Sequence, residues 1–81
     1  MKYVERHRQI GLKIAYYRKL RNLTQEALAE KLSLSTTHIG ALEATNVERT
    51  LSMNTLFEIA DLLKVPPYKF LMFDEDESQS G

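Results

Sequence analysis

Apolar residues recur along this chain at helical spacing, in blocks separated by short polar breaks. Ile10, Ile14 and Tyr17 fall at i, i+4 and i+7, which predicts a first helix running to about Arg21. Residues 1–9 are polar and fray from that helix or extend it. Asn22-Leu23 makes the turn into Thr24, a good N-cap. Ala27, Leu28 and Leu32 then supply the apolar stripe of a second helix, with the small Ala29 beside them for close packing. Ser33-Leu34 breaks the pattern, and Ser35 caps a third helix with Ile39 and Leu42 on its apolar face.

Ala44 to Leu51 reads as a loop, and Ser52 caps a fourth helix. Met53, Leu56, Phe57, Ile59, Ala60, Leu62 and Leu63 are its expected core contribution, with Glu58 and Asp61 on the outer face. Lys64 suits the negative end of the helix dipole. Val65-Pro66 ends the helix, because a residue before proline avoids the helical region. Pro67 opens a last helix to about Phe73. The expected architecture is all-α with five helices, residues 1–73 forming one domain and residues 74–81 an acidic, disordered tail.

A third helix of about eight residues cannot persist alone, since helix nucleation is costly. It must be docked by Ile39 and Leu42, which leaves Thr36, Thr37, Gly40 and Ala41 on the open side. Two short helices arranged this way describe a helix-turn-helix. The segment resembles the Cro and lambda-repressor-like, or XRE, family. Thr24-Gln25, Leu28-Ala29 with Leu32, Leu34-Ser35, Ile39 and Leu42-Glu43 carry the match, which extends outward to about Ile10 and Phe73.

The resemblance implies a compact lambda-repressor-like fold with the third helix in the major groove of double-stranded DNA. Gln25 would bond a phosphate, with Lys13, Lys19 and Arg21 adding longer-range attraction. Base reading falls to Thr36, Thr37, His38, Gly40 and Ala41, the cap Ser35 is a further DNA-binding residue, and loop residues Asn46 and Arg49 face phosphates. The minor groove is a second destination for Arg49. Family members often carry Gln, Arg or Lys on the reading helix, and this one has none. Arg18 would pair with Glu43 as a structural, bidentate ion pair.

Two further departures from the family stand out. Ser33 occupies a place usually held by glycine at positive φ, and the loop after the third helix is about two residues longer than is common. Tyr68, Phe70, Leu71 and Phe73 belong to a segment more apolar than a small domain can bury, and are expected at a homodimer contact.

Composition narrows the function. At 81 residues the chain is one small domain, and without cysteine it has neither disulfides nor thiolate metal sites. It begins with a charged segment and has no long apolar run, so no membrane association and a cytoplasmic location are expected. The net charge of zero hides an asymmetry. Lys2, Arg6, Arg8, Lys13, Arg18, Lys19 and Arg21 face only Glu5 in residues 1–22, while the tail carries Asp74, Glu75, Asp76 and Glu77.

His7 and His38 have no cysteine, carboxylate cluster or glycine-rich phosphate loop around them, so no catalytic residue, metal or cofactor is expected. The favoured reading is a sequence-specific transcriptional regulator, not an enzyme. The alternative is an antitoxin-like or other module that binds an as yet undefined protein partner and has weak or lost DNA binding. The uncharged third helix and the neutral net charge favour that alternative.

Overall fold

The computed structural model describes residues 3–44 and 51–73. In chain order these form α1 (Val4–Leu20), α2 (Gln25–Leu32), α3 (Thr36–Glu43), α4 (Met53–Leu63) and a 3-10 helix (Pro67–Leu71). The described residues thus contain four α-helices and a 3-10 turn, which corrects the expected count of five α-helices.

The correction has a local cause. Pro66 and Pro67 leave only a five-residue segment, too short to repay α-helix nucleation. It closes instead with an i to i+3 bond from Lys69 N to Pro66 O, 3.0 Å.

Hydroxyl caps start three of the helices. Thr24 Oγ1 accepts from Ala27 N at 3.0 Å, Ser35 Oγ from His38 N at 3.0 Å, and Ser52 Oγ from Thr55 N at 3.1 Å. The turns that follow α1, α2 and α4 share one design too. Asn22, Ser33 and Lys64 adopt the left-handed region, at φ 59°, 58° and 58°. In each case the next residue donates back across the last turn: Leu23 N to Arg18 O, Leu34 N to Ala29 O, and Val65 N to Ala60 O. Each left-handed residue is followed by an apolar one that packs into or against the core. Lys64 therefore ends α4 one residue before the Val65-Pro66 break.

The core is formed by Ile14 of α1, Leu28 and Ala29 of α2, Ile39 and Leu42 of α3, and Leu56, Ile59, Ala60 and Leu63 of α4, closed by Val65 and Phe70. Phe70 is fully buried and meets the Tyr17 ring edge-on at 5.4 Å. It is therefore a core residue and not a surface for a second chain, contrary to the expectation for it. Met53, Phe57 and Leu62 are exposed rather than buried. The inward stripe of α4 is Leu56, Ile59, Ala60 and Leu63, at i, i+3, i+4 and i+7, which leaves those three on other faces.

α3 packs against both α1 and α2. Gly11 permits the first of these contacts: a Cβ there would sit 2.5 Å from the Leu42 carbonyl oxygen. The glycine lets α1 lie directly against the end of α3.

Candidate nucleic-acid interface

The orientation of α3 is set from both sides. Ile39 and Leu42 anchor it in the core, and Glu43 at its last turn is drawn into a buried polar network. Arg18 Nε donates to Glu43 Oε2 at 2.7 Å and Arg18 Nη2 to Glu43 Oε1 at 3.0 Å, a two-pronged pairing. Arg18 Nη1 donates to the Leu23 carbonyl at 2.8 Å. Gln25 Nε2 adds a further bond to Glu43 Oε1 at 2.9 Å. One carboxylate thus ties α1, the start of α2 and the end of α3 together. Every fully buried side-chain nitrogen and oxygen among the described residues has a partner.

On the outer side, Ser35, Thr36 and Thr37 are exposed, while Gln25, His38, Gly40 and Ala41 are half-buried. Gln25 and Gly40 are brought together: a Cβ on Gly40 would lie 3.7 Å from Gln25 Oε1, an ordinary contact. The start of α2 and the open face of α3 therefore form one continuous surface. Asn46 and Arg49 lie outside the described residues.

Sequence reading missed two of these links. Gln25 was expected only as a phosphate ligand, but its amide is already oriented by Glu43. One of its two amide hydrogens and its carbonyl oxygen stay available. Arg21 was read only as a long-range attractor. In the fold its Nε donates to Leu63 O at 2.7 Å and its Nη2 to Lys64 O at 3.3 Å. It satisfies terminal carbonyls of α4, where a cation also suits the dipole. Neither link leaves a local signal, since the partners stand 18 and 42 residues apart.

At the far end of α1, the Phe73 ring lies 5.9 Å from both Arg6 Cζ and Lys13 Nζ. Tyr68 and Leu71 are exposed and Phe73 is half-buried. No helix among the described residues is long and apolar enough to cross a membrane.

Two short capped helices locked at a left-handed turn, the second anchored inside and polar outside, define a helix-turn-helix fold. The helix-turn-helix family model matches residues 14–70. The chain is 38% identical over 65 residues to an uncharacterised HTH-type transcriptional regulator of Methanocaldococcus jannaschii, over 80% of this chain and 96% of that one. The chain belongs to the XRE-type helix-turn-helix family, whose members are DNA-binding regulators of transcription rather than enzymes.

Solved structures agree on the fold. A hypothetical transcription factor from Neisseria superposes with a TM-score of 0.74 at 19% identity, covering 93% of this chain and 84% of that one. The restriction-modification controller protein of Aeromonas hydrophila gives a TM-score of 0.71 at 24% identity, covering 84% and 98%.

Proposed function

We propose that this protein is a sequence-specific regulator that binds double-stranded DNA as a homodimer, with α3 in the major groove. The observation that carries the reading is the division of α3. Ile39, Leu42 and Glu43 are buried, whereas Thr36 and Thr37 are exposed on a surface shared with Gln25. Gln25 holds a phosphate through its remaining amide hydrogen, and the start of α2 adds favourable N–H dipoles. Thr36, Thr37, His38, Gly40 and Ala41 meet base edges, with Ser35 capping the helix beside them. The role proposed for this binding is that of a controller or repressor of transcription.

Two copies joined through Tyr68, Leu71 and Phe73 would present two reading helices to a palindromic site. The test is selection from random duplexes followed by titration of the selected sequence. Affinity is expected to fall with salt at a log–log slope of about −0.9 per neutralised phosphate. Gln25→Ala should weaken all duplexes alike, whereas Thr37→Ala should change their ranking. Failure to bind any duplex even at low salt would favour the alternative, a module that binds a protein partner.

A further inference from the structure

We propose that α3 discriminates bases chiefly through pyrimidine 5-methyl groups, using the methyl groups of Thr36 and Thr37 and the side chain of Ala41. The inference rests on α3 entering the major groove. It follows from an inventory of the hydrogen-bonding groups on that surface. Ser35 Oγ accepts from the His38 backbone N–H, which holds the hydroxyl at the helix cap. Glu43 is buried and holds Arg18 and Gln25. Gln25 is tied back to Glu43 and lies over Gly40, at the edge of the reading surface. α3 contains no arginine, lysine, asparagine or glutamine, so a bidentate bond to guanine or adenine from this helix is ruled out by its composition.

Past the Ser35 cap, the exposed side chains at the start of α3 are two threonines, with His38 half-buried beside them. A threonine hydroxyl donates and accepts, so it can pair with either kind of base edge and separates bases poorly. Its methyl group gains only where the base offers an apolar partner, and in the major groove that partner is the thymine methyl. β-Branching restricts the side-chain rotamers in a helix, so the methyl groups are presented with little freedom. Ala41 adds a third small apolar contact farther along α3, and Gly40 leaves room between them. 5-Methylcytosine carries the same group in the same place.

The experiment uses the full chain and its selected duplex. Each thymine is replaced singly by uracil, which removes the methyl and keeps every hydrogen-bonding atom. One or more positions per half-site should lose about three- to tenfold in affinity, the worth of one desolvated methyl contact. Thr36→Ser and Thr37→Ser keep the hydroxyl and remove the protein methyl. At its own contact, the variant should bind the thymine and uracil duplexes equally. Where the same position carries cytosine, 5-methylation should raise affinity.

Equal affinity for thymine and uracil at every position would overturn the inference. So would a thymine preference unchanged in both serine variants and in Ala41→Gly. Loss of sequence preference in His38→Ala, with uracil silent, would assign the reading to hydrogen bonds instead. Each of these results is obtained on a duplex the protein binds. They are therefore separate from failure to bind DNA at all, which would remove the proposed function itself.

Discussion

Ser33 holds a left-handed conformation at φ 58° that costs a non-glycine residue about 1–2 kcal/mol. Its neighbours make that conformation necessary, because Leu34 must turn back to bond Ala29 and reach the core. Ser33→Gly is expected to raise unfolding free energy by up to about 1 kcal/mol, after glycine's own entropy cost, as read from the urea midpoint. Lys64→Gly should act similarly and Asn22→Gly less, since asparagine tolerates this region better.

The ion pair behaves in the opposite sense. Glu43→Ala leaves the Arg18 guanidinium buried beside the Leu23 carbonyl without its carboxylate, and should cost about 3–5 kcal/mol. A loss below about 1 kcal/mol in urea denaturation would mean that water reaches Arg18 readily.

At the scale of elements, two glycines on packed helices serve different ends. Gly11→Ala drives a methyl carbon to 2.5 Å from a backbone carbonyl that cannot step aside. α1 and α3 must separate, and a loss of about 1–3 kcal/mol or more is expected in thermal or urea unfolding. Gly40→Ala meets only the Gln25 side chain at 3.7 Å. It should stabilise α3 by about 0.5–1 kcal/mol through helix propensity. If it does so while weakening duplex binding, Gly40 serves the approach of DNA and not the fold. A loss of stability would instead mean that Gln25 has no room to accommodate the methyl.

At the scale of the whole molecule, the single segment after α4 divides between inside and outside. Phe70 and Leu71 are adjacent, yet one is fully buried and the other exposed. Phe70→Ala should destabilise the domain by about 3–5 kcal/mol, since it empties a packed site against Tyr17. Leu71→Asp should leave the unfolding midpoint nearly unchanged and convert a dimer to a monomer in sedimentation at micromolar concentration. A wild-type chain that already sediments as a monomer there would remove the proposed contact.

Thr24, Ser35 and Ser52 were legible as caps because each acts on an N–H three residues ahead. The break at Ser33-Leu34 and the anchors Ile39 and Leu42 were legible for the same reason: side chains within a turn or two repeat in a fixed geometry. The sequence by itself therefore determined where α2, α3 and α4 start, where α2 stops and which stripe of α3 faces inward. Apolar character alone did not reveal that Met53, Phe57 and Leu62 stay outside, or that Phe70 closes the core. Nor did it place the Arg21 guanidinium on the α4 carbonyls or the Gln25 amide on Glu43. Those outcomes belong to the tertiary structure, because burial and long-range hydrogen bonds depend on which helices cross and how closely, and chain-local forces leave that undecided.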